Sequence, residues 1–135
     1  MPITITWDDE AKTMFRYTFE GQWTWDDVYA TMQKANTMLP ENPVRIDVLI
    51  DYQSTARIPD SFITNLKGIA KRQPDFAGIT VIIAKSAIIK VFVDVSRRTD
   101  AKIADKIYWV ETDEQAYQLI EQDRKSDEQV PTDEV

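Results

Sequence analysis

Two runs of apolar residues constrain the fold of this chain more than anything else in it: Val48-Leu49-Ile50 and, further on, Ile79-Thr80-Val81-Ile82-Ile83-Ala84. A strand with one wet face alternates apolar and polar residues. A strand apolar in succession is covered on both faces, as in a parallel sheet between helices. A helical pattern follows each run. Residues 59–72 place Phe62, Ile63, Leu66, Ile69 and Ala70 on one side, and Pro59 suits the opening of that helix. Residues 86–98 are more ambiguous, because AIIKVFVDVS is rich in β-branched residues and Lys85-Ser86 could form a hairpin turn. The alternation of strand and helix predicts a helix, with Ser86 as its cap and Arg97 and Arg98 at its negative end. Read so, Ile88, Ile89, Val91, Phe92, Val93 and Val95 cover most of its circumference, which predicts burial on more than one side.

The remaining elements fall around this centre. Residues 3–7 alternate with period two, and residues 13–20 do so again with Met14, Tyr17 and Phe19 apolar, although Phe15 breaks the pattern. The polar turn at 8–12 makes these a hairpin. Thr24, followed by Asp26 and Asp27, opens a helix whose apolar face is Trp25, Val28, Tyr29, Met32, Ala35 and Leu39, and Pro40 stops it. The strand at 44–50 runs into Asp51 and Tyr52, and 53–58 is a polar loop. A last strand at 106–110 precedes Thr112-Asp113-Glu114-Gln115, a capping box, and a helix to about Asp123. Trp23 and Trp25 lie two apart at a helix start, so one of the pair is expected to be exposed.

The order is β-β-α-β-α-β-α-β-α. It predicts an α/β fold: one mixed five-stranded sheet with an N-terminal antiparallel hairpin and helices packed on both faces. A single domain over 1–124 is expected, followed by an acidic, disordered tail at 125–135.

Composition excludes several kinds of chemistry. The 135 residues contain no cysteine and no histidine. Thiolate nucleophiles, Ser–His and Cys–His catalysis and Cys- or His-ligated metals are therefore ruled out. The three glycines are too few for a phosphate-cradling loop. A net charge of −7 disfavours nucleic acid as a partner. No apolar run approaches a membrane span, and the N-terminus has no signal-peptide core, so a cytoplasmic protein is expected.

In open α/β sheets ligands gather outside the carboxyl ends of the parallel strands. Here those ends offer Asp51, Ser54 and Thr55 after the third strand and Lys85 and Ser86 after the fourth, with Arg57, Asp60 and Ser61 at the adjoining helix. These residues, with Phe92 on the apolar helix, are the candidate ligand or partner contacts. Each also has a plainer role, since Ser54 and Thr55 suit a turn and Asp60, Ser61 and Ser86 suit helix starts. Nothing in the spacing of Asp51 and Asp60 favours a catalytic pair, and neighbours such as Lys85 and Ser86 rarely point at one another. No catalytic residue, metal or cofactor is expected.

The opening hairpin ITITWDDEAKTMFRYTFEG, the helix start WTWDD, the strand VLID before a serine-bearing loop and helix, and a fourth strand leading into an apolar helix resemble one known group. Over residues 3–122 the chain resembles the SpoIIAA-like branch of the STAS domains, the anti-sigma factor antagonist and sulphate-transporter group. The resemblance implies a non-enzymatic regulatory domain that binds a protein partner or itself. It also implies a phosphoacceptor serine at the helix after the third strand, which maps to Ser61. The usual Asp-Ser-Ser-Gly run is incomplete here, because Asp60-Ser61 is followed by Phe62. Relatives likened to lipid-binding CRAL-TRIO domains imply the alternative, an apolar small molecule or lipid in a pocket at the strand ends, covered by residues 87–95.

Overall fold

The computed structural model describes residues 2–55, 60–74 and 76–129, the last two without their side chains. The elements follow in the expected order: β1 (Ile3–Trp7), β2 (Met14–Glu20), α1 (Trp25–Thr37), β3 (Ile46–Ser54), α2 (Phe62–Lys71), β4 (Ala77–Ile83), α3 (Ala87–Thr99), β5 (Ile107–Val110) and α4 (Asp113–Gln129). The strands form one five-stranded sheet in the order β1-β2-β3-β4-β5. The first pair is antiparallel and the other pairs are parallel.

The crossovers through α1, α2 and α3 all step the same way across the sheet. Crossovers of one hand stepping one way leave their helices on one face. Val28 and Ala35 of α1, Phe62 and Leu66 of α2, and Ile89 and Val93 of α3 accordingly share one core. The opposite face is covered by α4 through Ala116 and Ile120. Strand residues divide between the two cores by alternation. Phe15, Tyr17 and Phe19 face the three helices, whereas Met14 faces α4. Phe15 therefore belongs to the main phase of β2, and Met14 is the residue on the other face.

Several local expectations change. β3 runs on to Ser54, so Gln53 and Ser54 belong to the strand and not to a loop. α2 begins at Phe62, with Ser61 as its N-cap. Pro59, expected to open that helix, lies outside the described residues. Trp23 is buried and Trp25 half-buried, with the Trp25 indole N–H donating to the Asp60 carbonyl at 2.9 Å. Neither indole is left exposed. α3 is a helix, capped by Ser86, whose Oγ accepts from the Ile89 N–H at 3.3 Å. It is not buried on more than one side: Ile89, Val93 and Ser96 are buried, while Ile88 and Val91 are exposed.

α4 continues to Gln129, past the expected end near Asp123. Its added length is held by ion pairs around Asp47, which is fully buried in β3 on the α4 face. Asp47 accepts from Arg45 Nη2 at 2.8 Å, from the Ile79 N–H at 2.8 Å and from Arg124 Nε at 2.7 Å. Arg45 also pairs with Asp123 at 2.7 Å and with Asp127. Asp127, which composition placed in a solvated tail, is thus an ionic partner of Arg45 at the start of β3. The rest of the expected tail, 130–135, lies outside the described residues.

Gly78 leaves the space this cluster occupies, since a Cβ there would stand 2.0 Å from Asp47 Oδ1. Gly78→Ala is expected to cost about 3 kcal/mol or more, and Asp47→Ala about 3–5 kcal/mol, because two guanidinium groups lose their buried counter-charge. Urea denaturation of the two variants against wild type checks both figures. A second prediction concerns alkali. Burial pushes the Tyr17 phenol well above its ordinary range. The folded value exceeds the unfolded one, so this contribution is complete below the unfolded value of about 10 and is lost as pH rises towards the folded value. The free energy of unfolding should fall above about pH 10 by up to about 1.4 kcal/mol per pH unit. Tyr17→Phe should remove that share of the slope in a pH series of denaturation curves.

Candidate functional site

The carboxyl ends of β3 and β4 do not assemble the candidate residues into one site. The reason is strand alternation. Val48, Ile50 and Tyr52 of β3 face the three helices, and Leu49 faces α4. Asp51 shares the phase of Leu49 and points to the α4 side, where Arg16 and the α4 residue Asp113 meet it. Asp60 and Phe92 lie on the other side of the sheet, beside α1 and α2.

On the α4 side Asp51 is one member of a network centred on Arg16. Arg16 donates from Nε to Asp8 Oδ1 at 2.7 Å, and from Nη1 to Asp51 Oδ2 at 2.7 Å and to Asp113 Oδ1 at 3.3 Å. Its Nη2 donates to the Tyr117 hydroxyl at 3.0 Å, and that hydroxyl donates to Asp8 Oδ2 at 2.6 Å. Gln53 Nε2 bridges Asp51 Oδ1 and Asp113 Oδ1, both at 3.1 Å. Burial works against the charge on Arg16, but the hydrogen bonds to Asp8 and Tyr117 and the charges of Asp8 and Asp113 outweigh it, so its pKa moves upward. Burial, then the hydrogen bond to Asp8, also raises the Tyr117 phenol. The carboxylates are all engaged by one guanidinium, and their work here is to tie β1, β2, β3 and α4 together. Among the described residues no group of acidic side chains is arranged to hold a metal ion.

Sequence reasoning missed this network. The available signal was Arg16 itself, a charge in the middle of β2 and in phase with Met14, whose face α4 covers. A charge on a covered face needs partners.

On the three-helix side, the strand ends sit over packed aromatic rings. Trp23 meets Phe19, Trp25 and Tyr52 with centroids 4.9, 5.0 and 5.9 Å apart. Trp25 meets Phe62 at 5.9 Å, and Phe62 stacks on Phe92 at 5.4 Å. The void among Trp23, Trp25, Tyr52, Phe62 and their neighbours is about 50 Å³, room for one or two waters. Around it, Thr55 Oγ1 donates to the Gly21 carbonyl at 3.0 Å. Ser54, Asp60, Ser61 and Lys85 are exposed. Ser86 serves as the α3 cap. Arg57 lies outside the described residues. Asp51 and Asp60 stand on opposite sides of the sheet and make no pair.

Ser61 is a cap in position only. Its backbone is left-handed, with φ 59°, and its hydroxyl bonds no helix N–H. The Asn65 side chain instead donates to the Ser61 carbonyl at 3.0 Å. The capping role expected of the Ser61 side chain is therefore absent, because a left-handed residue does not aim its hydroxyl at the first turn. No helix among the described residues is long and apolar enough to cross a membrane.

Compared with protein-family models, curated proteins and solved structures, the chain finds no match. The resemblance to STAS domains therefore stands on the pattern of elements and enters the function only as a proposal.

Ser61→Gly should stabilise the fold by about 1 kcal/mol, since glycine occupies the left-handed region without a Cβ penalty and no side-chain cap is lost. A rise in the urea midpoint checks this, and a fall would show that the hydroxyl has a role in the folded state.

Proposed function

We propose that the chain is a non-enzymatic regulatory domain that acts in the cytoplasm by protein–protein contact, with the outer face of α3 as its docking surface and a second copy of the chain as its occupant. One observation carries the reading. Ile88 and Val91 are 55% and 54% exposed on a helix whose Ile89, Phe92 and Val93 reach the core. Ile88, Val91 and Val95 recur at helical spacing and form a stripe beside the buried line of Ile89, Val93 and Ser96. Large apolar side chains grouped on a surface mark interaction sites more often than isolated ones do.

Charge along α3 favours self-association. Lys90 and Asp94 lie 3.5 Å apart on the same helix. An antiparallel second α3, centred near Phe92, would set Lys90 of each copy beside Asp94 of the other while the apolar stripes met. Such a two-fold contact matches opposite charges at its rim and buries apolar area at its centre. The resemblance to anti-sigma factor antagonists, a group that works by binding partners, agrees with this reading.

Sedimentation velocity over a concentration series tests it. Wild type is expected to move from monomer to dimer as concentration rises, and Ile88→Glu with Val91→Glu is expected to stay monomeric with an unchanged circular dichroism spectrum. A wild type that remains monomeric throughout the series, or a double variant that dimerises as well as wild type, overturns the proposal.

A further inference from the structure

A cavity of about 340 Å³ opens on the three-helix face between α1 and the segment that joins α2 to β4. It lies at the amino ends of β3 and β4, since Ile46 and Ala77 line it, and so at the opposite edge from the expected site. Its volume falls within the range of about 300–1,000 Å³ typical of small-molecule pockets. The floor is apolar and partly aromatic, with Phe15, Tyr17 and Val48 from the sheet. Met32 forms the α1 wall, and Gln33 and Asn36 stand along its rim.

The mouth carries a charge at Arg72. Among the described lining residues Arg72 is the one cation, and none is a carboxylate. Its guanidinium lies 4.4 Å from the centre of the Tyr29 ring. Tyr29 is fixed in turn, its hydroxyl donating to Asn65 Oδ1 at 2.8 Å. Arg16, Arg45 and Arg124 are each paired with carboxylates. Arg72 has no ion pair among the described residues, although the chain carries a net charge of −7. A guanidinium stacked on a ring keeps its N–H edge free for a planar anion. An apolar floor with a few polar groups at the mouth, one of them charged, is the usual composition of a ligand pocket.

We infer that this cleft is a binding site for a small amphipathic anion, a flat apolar body ending in a carboxylate or sulfonate, with the body on Tyr17 and Val48 and the anionic end on Arg72. The body displaces water from apolar surface, and the charged end meets the one cation among the described lining residues.

Two fluorescent probes that differ in charge test this: anilinonaphthalene sulfonate and its uncharged counterpart N-phenylnaphthylamine. Wild type should bind the sulfonate saturably with one site per chain. Amide shifts in a ¹H–¹⁵N spectrum should centre on Met32, Gln33, Asn36 and Gln73, with Ile88 and Val91 unmoved. Arg72→Gln should weaken the sulfonate about tenfold, the loss of one charge-assisted hydrogen bond, and leave the neutral probe within about twofold. Met32→Trp should fill the cleft and abolish binding of both. Gln33→Trp, at an exposed rim position, serves the same purpose should Met32→Trp disturb folding as seen by near-ultraviolet circular dichroism. The inference is overturned if wild type shows no saturable binding, if the folded tryptophan variants still bind, if Arg72→Gln weakens both probes alike, or if the shifts centre on α3.

Discussion

The dimensions of strands and helices, set against the order of this sheet, govern the rest of the structure. Neighbouring strands lie about 4.8 Å apart, whereas packed helices need about 8–10 Å between axes. The crossovers through α1, α2 and α3 each advance by one strand and all place their helices on one face. Three helices side by side need about 20 Å between the outer two axes, roughly twice what single-strand steps provide. They cannot all sit above their own strand pairs. α1 is pushed outward over β1, against which it packs, and α3 outward over β5. The middle helix leans on α3 through the Phe62–Phe92 stack. The exposed stripe of α3 and the cleft beside α1 are the two surfaces this crowding leaves: an outer helix overhanging the last strand, and a gap on the side from which the middle helix has moved.

The other face has the opposite problem, a whole sheet with one helix to cover it. Its apolar packing runs along Met14, Leu49, Ile79, Val81, Ile83, Ala116 and Ile120. The two ends of that line are closed with ion pairs, Arg16 with Asp8, Asp51 and Asp113 at one end, and Asp47 with Arg45 and Arg124 at the other. Such clusters give modest net stability but penalise displaced registers, because a shift of α4 would strand several charges at once. That is why a helix so polar in sequence lies in a defined place, and why it keeps its structure through Asp127.

These forces also explain what was legible beforehand. Element order and sheet composition depend on local periodicity, and the runs at Val48-Leu49-Ile50 and Ile79–Ala84 carried them. Even the ambiguous α3 came out as a helix, because strand–helix alternation is a global constraint that β-branched content does not override. What was not legible depended on which face a residue takes and on contacts distant in sequence. Asp51 was grouped with Asp60 and Ser61 by proximity along the chain, yet a one-residue phase places it across the sheet. Arg124 pairs with Asp47, 77 residues away, and no window of sequence joins them. The cleft is the extreme case, since its lining comes from β2, α1, β3 and the α2–β4 connection, and its existence follows from helix spacing that no residue encodes alone.

The same spacing argument separates the two surfaces by chemistry. A helix overhanging an edge strand exposes a convex stripe, which only a large, complementary surface can cover, and this favours a macromolecule. A gap between helices is concave and floored by sheet side chains, so a small molecule can lose most of its hydration there. On α3 the charges beside the stripe, Lys90 and Asp94, are of opposite sign and already neutralise one another within the helix. In the cleft Arg72 rests on an aromatic ring and leaves its charge to be met from outside. A chain with a net charge of −7 thus offers a small anion a favourable place at Arg72, at the edge of the sheet farthest from the strand ends where sequence alone looked for a site.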